Sequence, residues 1–381
     1  MGAPRDGCRA DVLNRPPTVM SRRALMGVAV GSTLATRLGS TTLPHTALAF
    51  PRDAGAHPDF AIEWWYVTGY AVSANGQADF GFQVTFFRSR VPKTQAMQST
   101  LAAKQLVFAH AALTDVKGRK LWHDQRMARS SGAEPGLNPN DSAWTSSADT
   151  RIGLGDWSLA RAGPDLQARI GAKDFSIAVT LTTSQPVLLQ GKNGLSQKGP
   201  DSAQTSHYYS LPQLQVRGEL VLQGNRYAVG AGSTAWLDHE WSQQIMPPQA
   251  VGWDWMGINL FDGSALTAFR LRDKNGDALW DGGSFRAKDT LFTFQRGDVV
   301  FRPQRSWKSP LSQASYPVEW IVRTPADFYT IRAVIDNQEM DSRTSTGGIY
   351  WEGLCDVWDS NQRLVGRGYL EMTGYASPMR L

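Results

Sequence analysis

The sequence predicts an all-β protein built from antiparallel barrels or sandwiches. Three observations carry that expectation. Apolar residues recur with a period of two over several segments, tight-turn dipeptides fall between those segments, and no long stretch repeats every 3.6 residues. The 381 residues allow two or three domains. With 41% apolar and 19% charged residues, the chain is neither disordered nor a coiled coil.

The first elements are not strands. Arg22-Arg23 precedes a weakly hydrophobic stretch at 24–35, and Ala47-Leu48-Ala49 supplies an A-x-A pattern. The combination reads as a twin-arginine-type signal peptide over 1–49, with cleavage near Phe50 and a periplasmic or secreted mature chain. The apolar stretch is too short to span a bilayer, and no run of 18 apolar residues follows it, so no transmembrane helix is expected after signal removal. Of the two cysteines, cleavage would remove Cys8 and leave Cys355 alone, which rules out an internal disulfide and a cysteine-based zinc cluster.

The mature segment alternates clearly at 78–88, where Phe80, Phe82, Val84 and Phe86 share a face. At 105–114, Leu106, Phe108, His110 and Ala112 do the same. Asn75-Gly76, Lys117-Gly118, Gly224-Asn225, Asp262-Gly263 and Asn275-Gly276 supply the positive φ angles of hairpin turns. The polar stretches 130–147 and 191–206 read as loops. Pro247-Pro248 cannot continue a central strand and marks the boundary between domains at 50–246 and 247–381. An internal repeat supports that division: the aromatic strand at 63–69 compares with 252–257, and 232–241 compares with 366–375.

Charge limits the partners. Residues 1–49 hold six Arg against two Asp, so the remainder carries 33 basic and 32 acidic side chains. A nearly neutral body argues against nucleic acid. All 14 Trp lie beyond residue 49, which suits barrel filling and also a cavity for an apolar ligand.

The segments EWWYVTGY at 63–70, HAALTD at 110–115, YYS at 208–210, WLDHEW at 236–241 and GWDWMGINLFDG at 252–263 resemble the AttH-like family, which also contains carotenoid 1,2-hydratase. The resemblance runs from Asp59 to Tyr375. It implies two lipocalin-like antiparallel β-barrel domains packed together, with few helices. It further implies cofactor-independent chemistry or binding directed at hydrophobic molecules. One departure stands out: the strand after the W-D-W motif carries Phe269 and Arg270 where the hydratase pattern calls for a hydroxyl-bearing aromatic and a carboxylate. That favours a sibling branch with another ligand or reaction.

The densest chemical cluster is Asp238-His239-Glu240-Trp241. On a strand, Asp238 and Glu240 share one face with Trp236, and His239 shares the other with Trp241. His239 as general acid, with Trp241 and Trp255 stabilising a cation, would suit hydration of an isolated C=C bond. Asp238, Glu240 or Glu63 would tune or supply the proton, and a buried Glu63 would have a raised pKa. The competing reading makes His239 a hydrogen-bonded structural residue and pairs the carboxylates with Arg. Trp253 and Trp255 share a face with Asp254 opposite, and they serve either core packing or ligand binding. Trp64, Tyr208, Tyr209 and His110 complete the candidate lining, although a lone His on an apolar face is more often a satisfied core residue.

No metal is expected. Asp238, His239 and Glu240 are split between faces, H-E-x-x-H is absent, and His110 or His207 would have to join from other strands. No Gly-rich phosphate loop opens a helix, so no nucleotide is expected, and the resemblance implies chemistry without a cofactor. The function read from the sequence is therefore an exported protein binding an isoprenoid or lipid-like molecule, with hydratase or lyase activity by acid catalysis. The alternatives are a non-catalytic periplasmic lipid carrier or chaperone with an export system as partner, and a secreted lipid-ester hydrolase, against which the missing G-x-S-x-G counts.

Overall fold

The computed structural model describes residues 47–244 and 246–379. The Arg22-Arg23 pair and Cys8 lie outside the described residues. Ala47-Leu48-Ala49 lies inside them, and Leu48 packs against the first apolar core.

The protein is all-β, and two short 3-10 turns, Arg52–Ala54 and Pro92–Thr94, are the helical elements among the described residues. No helix there is long and apolar enough to cross a membrane. The strands form a 14-stranded sheet, a 10-stranded sheet and a separate pair, Ser306–Lys308 with Ser315–Pro317.

The first sheet opens with a meander of long antiparallel strands: Ile62–Val72, Asp79–Arg90, Gln105–Asp115 and Lys120–Ser130. The first and third of the turns between them sit at Asn75-Gly76 and Lys117-Gly118, and the second is a longer link at 91–104 that carries the Pro92–Thr94 turn. Gly76, for example, has φ of 68°, which glycine adopts at little cost. Thr234–Ser242 pairs with Ile62–Val72 on the other side, and Thr205–Leu222 continues the sheet. The sheet then runs through Phe175–Thr182 and three shorter strands to Ala143–Thr145, which returns beside Lys120–Ser130 and nearly closes a barrel. Phe80, Phe82, Val84 and Phe86 all point into its core, as their alternation requires.

The second sheet is organised alike. Gly252–Leu260 pairs with Ala265–Arg272 and with the last strand, Leu364–Met372. Gly348–Trp358 and Phe328–Ala333 extend it. In both sheets the aromatic strand that matches in the internal repeat opens the sheet and pairs with its last strand. Met256, Trp320, Trp351 and Leu370 belong to the core of this second sheet.

A third apolar cluster joins the two sheets. Tyr66 and Trp236 from the first meet Trp255, Phe269 and Tyr369 from the second. Polar groups cross the same boundary: the Asn259 amide donates to the Ala235 carbonyl at 3.0 Å, and Gln190 donates to Thr267 Oγ1 at 3.0 Å. Gly257 marks the closest approach, since a Cβ there would lie 2.5 Å from the Trp255 ring and 3.1 Å from Trp236.

The stretch 191–206 differs from the expected open loop. Ser196, Lys198 and Gln204 are buried in it, because the Lys198 ammonium reaches a carboxylate on the first sheet. Cys355 is the buried small hydrophobe expected, and burial raises its thiol pKa.

The packing at Gly257 yields a test. Gly257→Ala should cost about 1–3 kcal/mol through overpacking between the sheets, read as a lower denaturation midpoint in urea.

Candidate active site

The central strand pair Ile62–Val72 and Thr234–Ser242 separates two polar sites. Its register sets Glu63 opposite Trp241, Trp64 opposite Glu240, Trp65 opposite His239 and Tyr66 opposite Asp238. Alternation therefore sends Glu63, Trp65, His239 and Trp241 into the first barrel. Trp64, Tyr66, Asp238 and Glu240 face the second sheet.

Inside the barrel, Glu63 is fully buried and saturated with donors. Arg88 Nε lies 2.8 Å from Oε2, His57 Nδ1 is 2.7 Å from Oε1, and His239 Nε2 is 2.9 Å from Oε1. The His57 backbone N–H also donates to Glu63 Oε2, at 2.9 Å. Burial alone would raise the Glu63 pKa. The hydrogen bonds from His239 and His57, with the positive charge of Arg88, outweigh it and hold the carboxyl well below the usual range. Burial pushes His239 down to about 4 against the opposing pull of Glu63, so near neutrality a neutral ring donates Nε2–H to an ionised Glu63. Its Nδ1 then accepts from the Tyr209 hydroxyl at 3.3 Å. His57 stacks on Trp241 with centroids 3.7 Å apart.

The ligand atoms of His57, Glu63 and His239 lie within 4.8 Å of one another, a donor set that suits a divalent ion. Two features oppose that use. The Arg88 guanidinium already neutralises the same carboxylate, and like charge is costly in a buried site. N–H···O bonds account for the observed spacings.

The other face opens into a cavity of about 580 Å³ between the sheets. Trp64, Phe87, Phe108, Trp253, Trp255 and Phe269 form its apolar wall. Asp238, Glu240, Glu352 and Glu371 bring four carboxyl groups to it, and Lys198 brings a cation. Glu352 and Glu371 are direct cross-strand partners. Like charges in such positions repel, so the pair favours holding a proton.

Burial and the Glu371 carboxylate raise the Glu352 pKa well above its ordinary value, partly offset by the neighbouring Tyr66 and Tyr350 phenols. Glu352 Oε1 and the Tyr66 hydroxyl are buried without a hydrogen-bond partner. Glu371 is raised to about 7 by burial and by the charges of Asp238 and Glu240, against a bond from Trp253 Nε1 at 3.0 Å. Burial also raises Asp238 to about 7, although Ser210, Tyr208 and Trp236 all donate to it. The cavity thus holds one persistent carboxylic acid beside two groups that titrate near neutrality.

A chain of hydrogen bonds steadies this wall. The Gln125 amide donates to the Asp341 carbonyl at 2.5 Å, which turns its oxygen toward the Ser345 hydroxyl. Ser345 Oγ then accepts from His110 Nε2 at 2.8 Å, and His110 Nδ1 accepts from the Tyr350 hydroxyl at 2.9 Å. Burial lowers the His110 pKa to about 3, consistent with a neutral ring in this chain.

The AttH-like family model matches residues 41–375. The chain belongs to the AttH-like family. A solved AttH-type protein of Nitrosomonas europaea is 43% identical, with a TM-score of 0.79, over 88% of this chain and 99% of that one. Kievitone hydratase of Nectria haematococca is 14% identical with a TM-score of 0.66, over 87% and 94%. CghA, solved with Sch210972, is 11% identical with a TM-score of 0.50, over 87% and 96%. The last two likenesses are of fold. No curated sequence matches the chain significantly.

For this AttH-like protein the structure brings together Trp64, Tyr208, His110, Asp238, Glu240, Trp253 and Trp255 in one cavity. It corrects the grouping of His239, Trp241 and Glu63 with them. Those three face the first barrel, because the strand that aims Asp238 and Glu240 outward must aim His239 and Trp241 inward. Glu63 is also held ionised, opposite to the raised pKa expected of a buried carboxyl, because Arg88 and two histidines reach it. Tyr209 turns into the barrel, and the fully buried Asp254 faces away from the cavity to pair with Arg270 and Arg272 at 2.7 and 2.9 Å.

Sequence reasoning missed Glu352, Glu371, Tyr66, Tyr350, Lys198 and His57. The signal for Glu352 was a carboxylate directly after Tyr350-Trp351 in the aromatic run at 350–358, and Glu371 sits likewise between Leu370 and Met372.

Two outcomes follow from these electrostatics. Glu63→Gln leaves Arg88 buried without its counter-charge and should cost about 3–5 kcal/mol in chemical denaturation. The pH dependence separates the sites. Raised carboxyls such as Asp238 and Glu371 contribute stability below their unfolded pKa of about 4, lost as pH climbs through about 7. Glu63, with a lowered pKa, contributes above about pH 4 and loses that contribution as pH falls further. The melting temperature should therefore be highest under mildly acidic conditions, and Glu371→Gln should flatten the decline between pH 5 and pH 8.

Proposed function

We propose that the protein hydrates, or in reverse dehydrates, a carbon–carbon double bond of an apolar ligand held between its two sheets, without a cofactor. The opposed pair Glu352 and Glu371 carries this reading. Alkene hydration needs a proton donor at one carbon, stabilisation of the cation that forms, and a base for the incoming water. Glu352, kept protonated by burial, supplies the proton. The Trp253 and Trp255 rings and the neighbouring carboxylates stabilise positive charge. Glu371 or Asp238, both titrating near 7, takes the proton from water. Microscopic reversibility gives the reverse path the same residues.

The family membership and the fold shared with kievitone hydratase support a hydratase reading. The departure noted in the sequence bears on which ligand is used. Phe269, where the hydratase pattern calls for a hydroxyl-bearing aromatic, lies on the cavity wall, so the acid must come from the strands of Glu352 and Glu371 instead. The proposal retains export by the twin-arginine-type signal, which places the reaction outside the cytoplasm. A lipid carrier would use the same aromatic wall but has no need of a buried protonated carboxyl.

The test is turnover of polyene and prenyl substrates, followed by product mass. Glu352→Gln should lower kcat by roughly 10²–10⁴ while ligand binding persists. The rate should rise as pH passes through about 7, because the base must be ionised. Saturable binding with no product under any condition would replace the hydratase with a carrier.

A further inference from the structure

The proposed reaction needs only an apolar tail and a double bond, yet one wall of the cavity is built for something else. Lys198 is 5% exposed and lies on the segment folded over the first sheet. Its Nζ sits 2.9 Å from Glu240 Oε1. The Tyr208 and Phe269 rings flank it, with centroids 4.6 and 4.3 Å away. The Ser206 hydroxyl donates to the same Glu240 oxygen, Oε1, which helps fix the carboxylate. An ammonium has three N–H groups, and Glu240 takes one. Rings accept a cation's field but not a linear hydrogen bond of carbonyl strength. Lys198 lines the cavity, so its remaining donor capacity is directed at whatever fills that space.

The charge of the surroundings selects among possible heads. Glu240 already balances Lys198. Asp238 and Glu371 are partly ionised near neutrality, so the patch around the ammonium is neutral to negative. An anionic head would bring a further negative charge into a buried acidic site. A bare hydrocarbon would cover the ammonium without supplying an acceptor, at the cost of a desolvated donor. A neutral oxygen avoids both penalties.

We infer that the ligand is a neutral amphiphile, an apolar chain ending in a hydroxyl or carbonyl oxygen, and that Lys198, oriented by Glu240, is the donor that binds that oxygen. The head is held at the first sheet, and the chain runs along the Trp253 and Trp255 wall toward Glu352 on the second. Lys198 thereby fixes which double bond the Glu352 acid can reach. This inference rests on the apolar-ligand reading above and adds the class of head group.

The experiment titrates the purified mature protein with four chains of one length, farnesol, farnesene, farnesoic acid and farnesylamine, and follows quenching of its tryptophan fluorescence at pH 7. Farnesol should bind at least about tenfold tighter than farnesene, the gain expected of a hydrogen bond to a charged donor. It should also bind tighter than farnesoate. In Lys198→Met/Glu240→Gln, which removes both charges together, the farnesol advantage should vanish, and farnesene should bind at least as tightly as it does to the wild type, because the desolvated donor is gone. If that variant does not fold, the wild-type series decides alone. Equal binding of farnesol and farnesene overturns the head-group inference and leaves the apolar-cavity reading standing. Farnesoate binding tightest overturns it in favour of a simple ion pair with Lys198. Farnesylamine binding tightest overturns it in favour of the ionised Asp238 and Glu371. No binding by any of the four overturns both readings.

Discussion

The structure hangs on a carboxylate that has no contact with water. Glu63 receives Arg88 from the neighbouring strand, His239 from the strand on its other side, and the ring and backbone of His57 from the segment that precedes it. Four chain segments are therefore tied to one charge. A buried ion is tolerated only when its desolvation is offset by such a set of donors, and each donor must then keep its place. This fixes the register of Ile62–Val72 against both neighbours. A slip of one residue would send every side chain to the opposite face.

The cavity is the consequence on the other side of the same strands. Once Glu63 and His239 are committed inward, Trp64, Tyr66, Asp238 and Glu240 have only the inter-sheet space to occupy. The second sheet answers with the same logic. Met256 and Ile258 face its own core, and Trp253 and Trp255 face the cavity. The two clusters are opposite in character for a physical reason. Inside the barrel, the Arg88 cation and several N–H donors surround one carboxyl, which stays ionised. Between the sheets, carboxyls outnumber the single ammonium, so protons are retained. The first arrangement holds the fold, and the second can exchange a proton with a ligand.

Much of the fold was legible because alternation and turn chemistry are local. The Phe80–Phe86 face and the Gly76 hairpin follow from the residues themselves, and the split of WLDHEW into Asp238 with Glu240 and His239 with Trp241 follows from strand geometry. Which of those faces meets the ligand was not legible. Both carry aromatic and titratable groups, and the choice depends on Arg88 and His57, which lie far from 236–241 in the sequence. Glu352 and Glu371 stayed hidden for a related reason. Each is a carboxylate flanked by apolar residues in its strand, and only cross-strand pairing sets them opposite one another. Lys198 sits in a stretch whose composition reads as loop, and the ion pair with Glu240 draws it inside.

The placement of acids also bears on why the strand carrying Phe269 can lack a carboxylate and still line a reactive site. That strand neighbours Gly252–Leu260, so an acid at 269 would stand beside Trp255 on the side where Lys198 packs. An ionised carboxylate there would compete with Glu240 for the ammonium and so weaken the balance that keeps Lys198 in the cavity. Phe269 instead gives Lys198 a ring to lie against. The proton donor then falls to the Leu364–Met372 and Gly348–Trp358 pair, where Glu371 and Glu352 stand opposed and burial favours the neutral acid. Apolar wall, cation and acid are thus assigned to different strands of one cavity, and each can keep its protonation state without cancelling its neighbour.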